Sequence, residues 1–258
     1  RPRQSFTVSS SDGQAVQGWL IMPEGQGPFA TILETHGGPT AVETDVYSPS
    51  AMAWVDHGFA YCSLNYRGST TFGKQFQDKI LRDLGHWEVE DMVAARKWLV
   101  EQGIARPDQI LLTGWSYGGY LTLLALGKYP HLWAGGLAGI AIADWNLMYE
   151  DQAETLRAYQ VSLFGGTPQE QSEQHAISSP ITYAESVRAP ILIIQGRNDT
   201  RTPARQVQVY EERMKALGKE IEVHWFETGH IGSFADTELA IDHQKRMLAF
   251  AYRVLDSA

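Results

Sequence analysis

The feature that most constrains the fold is the pentapeptide Gly-Trp-Ser-Tyr-Gly at residues 114–118. It follows a short apolar stretch, 109–113, and opens a stretch of small and apolar residues, 119–128, that is typical of a helix. Serine with glycines two residues to either side is typical of a nucleophile elbow, a sharp strand-to-helix turn on which larger side chains would collide. The pattern therefore predicts a sheet with Ser116 exposed at a strand end, and a base, an acid and an oxyanion hole elsewhere in the chain.

The candidate for the general base is His230. On a sheet of this kind the acid and the histidine follow the nucleophile in the chain, which excludes the histidines before Ser116. His224 lies inside an alternating strand pattern at 221–226, and His243 lies on the helical pattern near the C-terminus, so both are predicted to be structural. His230 lies in a loop directly after that strand, where glycines bracket it and its ring can reach over the sheet edge.

The predicted acid is Asp199, and Asp144 is the alternative. The apolar run 191–194 indicates a buried parallel strand, and Asp199 lies in the turn that follows it. Asp144 follows the earlier apolar run 139–143. We favour Asp199 because its loop and the His230 loop end consecutive strands and can meet, as orienting a histidine requires.

An oxyanion hole is predicted from the sequence His-Gly-Gly-Pro at 36–39, which follows the apolar run 30–33. Such a loop exposes backbone amides. One of them, together with the amide of Tyr117 directly after the nucleophile, would hold the oxyanion of a tetrahedral intermediate. The alternative is a Gly-Gly-Pro turn with no role in chemistry.

The length and composition of the chain limit its number of domains and the classes of partner that it can bind. With 258 residues, one domain spanning 1–258 is expected, and the net charge of −9 argues against nucleic acid or an anionic membrane as a partner. No apolar run reaches the roughly 18 residues needed to span a bilayer. No signal peptide is visible, so we expect a cytoplasmic protein. Cys62, the single cysteine, is predicted to be a core residue, and no spacing suggests a metal or cofactor site.

Strand and helix patterns alternate along the chain and predict an α/β-hydrolase fold, with a mostly parallel sheet covered by helices on both faces. A hairpin is expected at the antiparallel edge, formed by residues 6–10 and 15–22. The further strands are predicted at 30–34, 59–64, 110–113, 137–143, 191–195 and 221–226, and the main helices at 88–100, 202–217 and 236–255.

The stretch 145–188 is too long for a simple connection and is rich in aromatic residues. It is predicted to fold as short helices beside the mouth of the active site. Trp145 and Phe164 are the candidates for a substrate pocket, although most of its aromatic residues are expected to pack the segment onto the body.

Five segments together resemble the catalytic domain of the prolyl oligopeptidase family of serine peptidases, nearest the acylaminoacyl-peptidase-like branch. These segments are residues 36–39, 65–69, 114–119, 179–181 and 195–203, so the resemblance covers nearly the whole chain. It implies the triad and oxyanion hole described above. Family members also carry an N-terminal β-propeller that screens out large substrates, and no part of this sequence has the pattern of one. We therefore expect a catalytic domain only, which is either excised from a longer protein or a stand-alone relative.

The resemblance also bears on two further residues. In the family, the arginine two residues after the catalytic aspartate binds a substrate main-chain carbonyl, which implies this role for Arg201; bracing of the loop is the alternative. Prolyl-specific and dipeptidyl members of the family have tyrosine where this chain has His36 and use its hydroxyl in the oxyanion hole. Here a backbone amide, that of Gly38, is expected to serve, which argues against proline specificity.

The expected function is that of a serine hydrolase that cleaves peptide or acylaminoacyl bonds through an acyl-enzyme, with a peptide, acylated amino acid or ester as substrate. A carboxylesterase is the nearest alternative, because the same triad cleaves esters. A hydrolase-fold binding protein without activity is a further alternative, against which Ser116, Asp199 and His230 argue. Association of the chain into a homo-oligomer is compatible with the sequence.

Overall fold

The computed structural model describes residues 2–256. Within them the strands are β1 (Gln4–Ser9), β2 (Ala15–Ile21), β3 (Phe29–Thr35), β4 (Ala60–Leu64), β5 (Ala105–Trp115), β6 (Gly135–Gly139), β7 (Ile191–Gly196) and β8 (Ile221–Phe226). The α-helices are α1 (Pro49–Asp56), α2 (Lys74–Asp78), α3 (His86–Glu101), α4 (Tyr117–Lys128), α5 (Trp145–Asp151), α6 (Glu154–Phe164), α7 (Ser172–Ser178), α8 (Ala204–Ala216), α9 (Gly232–Ala235) and α10 (Thr237–Asp256). A 3₁₀ helix spans Pro180–Ser186.

The strands form one sheet in the order β1-β2-β4-β3-β5-β6-β7-β8. Strand β2 runs antiparallel to both of its neighbours, and the pairs from β4 to β8 are parallel. Residues of one strand alternate between two apolar layers: in β3, Leu33 packs into the layer on one face and Ile32 into the layer on the other. The predicted α/β fold is confirmed, and both faces of its sheet are covered.

Strand β6 departs from the prediction. It ends at Gly139, because Ile140 has a φ of 40° and the chain leaves the sheet there. Asp144 is therefore not at a strand end. Its carboxylate caps α5 by accepting hydrogen bonds from the backbone N–H of Asn146 at 2.9 Å and of Leu147 at 3.3 Å.

The segment between β6 and β7 folds as the short helices α5, α6 and α7 and the 3₁₀ helix. Helix α5 follows Asp144 at the carboxyl side of β6, beside the end of β5 that carries the elbow. In the part of the chain that is described, no helix has both the length and the apolar character needed to cross a membrane.

Candidate active site

The serine elbow joins β5 to α4. Ser116 has a φ of 58°, which L-residues rarely adopt, and its N–H donates to the carbonyl of Gly139 at 2.9 Å. A Cβ added to Gly118 would lie 2.0 Å from the carbonyl oxygen of Thr35, and one added to Gly114 would lie 2.3 Å from the carbonyl oxygen of Gly118. The two glycines therefore allow the close backbone approach that holds the serine in this strained turn.

Three side chains from separate loops meet at this turn. His230 Nε2 lies 3.1 Å from Ser116 Oγ, and His230 Nδ1 lies 2.7 Å from Asp199 Oδ2. The carboxylate can only accept, so Nδ1 carries the proton and Nε2 is left as the acceptor for the serine hydroxyl. The structure thus brings together Ser116, His230 and Asp199 in the order that nucleophilic catalysis requires.

The carboxylate of Asp199 is fixed by its own loop. Its Oδ1 accepts hydrogen bonds from the backbone N–H of Arg201 and of Thr202, each at 2.8 Å. Its Oδ2 accepts one from Thr202 Oγ1 at 2.9 Å in addition to that from His230. The role of Thr202 was not predicted from the sequence, although an Asp in a turn commonly bonds the backbone N–H two residues on.

The acid and base loops are also joined directly. Asn198 Nδ2 donates to the carbonyl of Glu227, and the N–H of Arg197 donates to the carbonyl of Phe226 at 2.8 Å. These bonds join the segments that follow β7 and β8 just beyond the end of the sheet. They hold the loop that carries Asp199 against the loop that carries the histidine.

A cavity of about 470 Å³ opens beside the serine. Its mouth includes Ser116, His230 and Arg201, whose side chain is exposed. The apolar part of its lining comes largely from α5 and α6: Ile142, Trp145, Met148, Leu156, Tyr159 and Leu163. A concave, mostly apolar pocket with a few converging polar groups is typical of a substrate site.

The two predicted pocket residues differ in position. Trp145 is buried and lines the cavity, with its ring centroid 5.2 Å from that of Tyr120. Phe164 lies outside the cavity, so its predicted role as a pocket residue is wrong. It is fully buried behind Trp145, at 5.3 Å between ring centroids, and stacks on His175 at 3.7 Å. An aromatic pattern does not tell which side of a short helix faces the cavity.

The loop predicted to form the oxyanion hole is braced through His36. The carbonyl of Gly37 lies 2.6 Å from His36 Nδ1, which must therefore carry the proton, and Ser69 Oγ donates to Nε2 at 2.7 Å. Tyr66 stacks on the ring and its hydroxyl donates to the His36 carbonyl at 2.6 Å. Burial lowers the pKa of His36 to about 4, so the ring is neutral at physiological pH.

The two candidate amide donors lie at the cavity beside the serine. Gly38 and Tyr117 both line it. Gly38 has a φ of 126°, and a Cβ there would lie 2.6 Å from the N of Thr40, so the loop requires glycine at this position. The geometry suits a backbone oxyanion hole, in which His36 supports the loop and does not itself donate.

A buried carboxyl supports the second amide donor from behind. Glu88 Oε2 accepts hydrogen bonds from the hydroxyl of Tyr117 at 2.5 Å and from the N–H of Gly85 at 3.0 Å. Glu88 is fully buried, and burial raises its pKa to about 8. Its role was missed in the sequence, where Glu88 reads as one polar residue of an amphipathic helix.

We expect the Glu88→Gln variant to gain stability relative to the wild type as the pH rises from about 4.5 to about 8. In that range the unfolded carboxyl ionises while the folded one keeps its proton, so the wild type loses up to about 1.4 kcal/mol per pH unit. Glutamine keeps an acceptor for Tyr117 and does not titrate. Urea unfolding of both proteins at several pH values measures the difference, and a difference that does not change with pH would contradict the buried neutral carboxyl.

Residues 46–258 match the sequence model of the prolyl oligopeptidase family. The chain belongs to this family. The resemblance inferred from five short segments is thereby confirmed.

Relatives within the family differ in length. Dipeptidyl aminopeptidase BIII of Pseudoxanthomonas mexicana is 29% identical over 235 residues, which cover 83% of this chain and 33% of that protein. The uncharacterized peptidase YtmA of Bacillus subtilis (strain 168) is 26% identical over 218 residues, which cover 84% of this chain and 82% of that protein. The chain therefore spans about a third of the first relative and most of the second.

Among solved structures, the chain is similar to the acylaminoacyl peptidase of Pyrococcus horikoshii in its orthorhombic crystal form. The TM-score is 0.90 at 26% identity, and the match covers 97% of this chain and 41% of that one. This agreement supports the α/β-hydrolase fold over almost the whole of the chain.

Proposed function

We propose that this chain is a serine peptidase that hydrolyses peptide or acylaminoacyl bonds through an acyl-enzyme. The observation that carries the proposal is the alignment of Ser116, His230 and Asp199 at 3.1 Å and 2.7 Å beside an apolar cavity. Family membership and the likeness to the acylaminoacyl peptidase of Pyrococcus horikoshii support the substrate class.

The reaction follows from this arrangement. Ser116 Oγ attacks the substrate carbonyl carbon while its proton passes to His230 Nε2, and Asp199 holds the imidazolium that forms. The amides of Gly38 and Tyr117 bind the oxyanion of the tetrahedral intermediate. When the C–N bond breaks, His230 gives its proton to the leaving amine, and an ester on Ser116 remains. A water molecule then attacks this ester and gives its proton to His230, and the acyl group leaves as a carboxylic acid.

The substrate side chain next to the scissile bond is expected to enter the apolar cavity. A wall that includes Trp145, Met148 and Leu163 favours a large apolar side chain over a charged one. Arg201 at the mouth carries donors suited to a main-chain carbonyl of the acylated segment.

We expect Arg201→Ala to lower kcat/KM for an acylated peptide roughly ten- to hundredfold, which corresponds to one charge-assisted hydrogen bond of about 1.5 to 3 kcal/mol. p-Nitrophenyl acetate lacks the peptide carbonyl and should be hydrolysed at the wild-type rate. Arg197→Ala is the matched control, since Arg197 lies in the same loop but pairs with Glu227 at 3.0 Å outside the cavity. Equal losses on both substrates would instead indicate that Arg201 braces the loop.

The proposed activity is tested with N-acetyl-leucine p-nitroanilide and the p-nitrophenyl ester of the same acyl group. We expect cleavage of both, because an acyl-enzyme forms from either, with the ester faster. Cleavage of the ester without any cleavage of the anilide or of acetylated peptides would contradict the peptidase assignment.

A further inference from the structure

A second group of chemically competent side chains lies away from the triad, where β8 packs against α10. One ligand atom from each of His224, Asp242 and His243 lies within 4.8 Å of the others. His224 Nε2 is 3.8 Å from Asp242 Oδ2, and the two imidazole rings are 5.9 Å apart between centroids. The sequence predicts no metal site, because the His230 loop separates His224 from the other two residues along the chain.

We propose that His224, Asp242 and His243 bind a zinc ion. Two imidazoles and a carboxylate are a common zinc ligand set, with water in the fourth position. Bonds of about 2.0 to 2.2 Å in tetrahedral geometry place ligand atoms roughly 3.4 Å apart, closer than they lie here. Asp242 is half exposed and the side chain of His224 is 24% exposed, so rotation of both side chains can bring the ligand atoms to this spacing.

Charged side chains of both signs surround the three proposed ligands. Arg246 donates at 2.8 Å to Asp242 Oδ2, the same oxygen that faces His224, and zinc would replace this exposed pair, which contributes little to stability. Arg246 places positive charge beside both histidines, and Glu222 on β8, which pairs with Arg253 at 3.5 Å, places negative charge near His224.

The position of the site links it to catalysis. His224 precedes the loop that carries His230, and Asp242 and His243 follow it, so a bound ion would tie the strand and the helix on either side of this loop. The ring of His243 also stacks on Trp115, the residue before the nucleophile, at 6.0 Å between centroids. Zinc bound here is therefore expected to stabilise the loop and to change tryptophan fluorescence.

The test is isothermal titration of the tag-free chain with zinc chloride at pH 7, with thermal unfolding and fluorescence measured alongside. We expect one ion per chain and a higher Tm with zinc. His224→Ala and Asp242→Asn should each weaken binding by roughly ten- to hundredfold or more, the range found when metal-site partners are removed. His131→Ala, which changes an exposed histidine elsewhere, should bind as the wild type does.

Zinc can also bind a catalytic histidine, so His230→Ala is included to separate the two sites. We expect this variant to keep the one-ion stoichiometry and the rise in Tm. Absence of binding in the wild type, undiminished binding in both His224→Ala and Asp242→Asn, or loss of binding in His230→Ala would overturn the proposal. A metal-free Tm equal to that of the wild type establishes that each variant is folded.

Discussion

Ser116→Ala is expected to lower kcat by about 10⁴- to 10⁶-fold with little change in stability, as loss of a triad nucleophile does in other serine hydrolases. Removal of the hydroxyl leaves no atom to form the acyl-enzyme. Within the described residues, the hydroxyl of Ser116 makes one side-chain hydrogen bond, with His230 at 3.1 Å, so the fold does not depend on this hydroxyl. Steady-state kinetics on the acylated anilide and urea unfolding measure the two effects.

Ser162→Ala is the matched control for this experiment. Ser162 lies on α6, is exposed, and its hydroxyl donates to the carbonyl of Tyr159 in its own helix at 2.6 Å. We expect wild-type kinetics from this variant. Activity of Ser116→Ala within tenfold of the wild type would exclude the serine mechanism.

Asp199→Asn is expected to lower kcat by about 10⁴-fold, because an amide in place of the carboxylate favours the wrong tautomer of His230. The loss of hydrogen bonds within the loop that carries Asp199 adds to the loss of kcat. The Asn carbonyl can still accept the two backbone N–H groups that bind Oδ1, but the NH₂ group that replaces Oδ2 cannot accept the hydrogen bonds of Thr202 Oγ1 and His230 Nδ1. The kinetics of this variant are measured on the same substrate.

Asp144→Asn separates the two aspartates considered as the acid. Asparagine is as good an N-cap as aspartate, so α5 is preserved, and we expect kcat within a few-fold of the wild type. A larger loss for Asp144→Asn than for Asp199→Asn would reverse the assignment of the acid.

Features that depend on local sterics could be predicted from the sequence. The elbow is one, because Gly114 and Gly118 are required by backbone approaches within a few residues or to the adjacent strand. The loop positions of Asp199 and His230 are another, since each follows a strand whose apolar pattern is clear. The parallel order of β7 and β8 then brings the two loops together.

Features that depend on packing between distant segments could not be predicted. Glu88 supports Tyr117, and Tyr66 supports the loop that carries His36, only because α3 and the segment after β4 pack against these parts of the site. The end of β6 was misplaced because Ile140 is apolar and fits a strand pattern, while its positive φ is set by the surrounding fold. Phe164 was misplaced for a similar reason, since its contact with His175 joins α6 and α7 within the segment between β6 and β7.

The most direct test of the catalytic assignment is intact-mass analysis after treatment with a fluorophosphonate, followed by peptide mapping of the adduct. We expect one adduct per chain, located on Ser116, with none in Ser116→Ala and strongly slowed labelling in His230→Ala. An adduct on another serine, or hydrolysis of acylated anilides by a chain that takes no label, would contradict the assignment of Ser116 as the nucleophile.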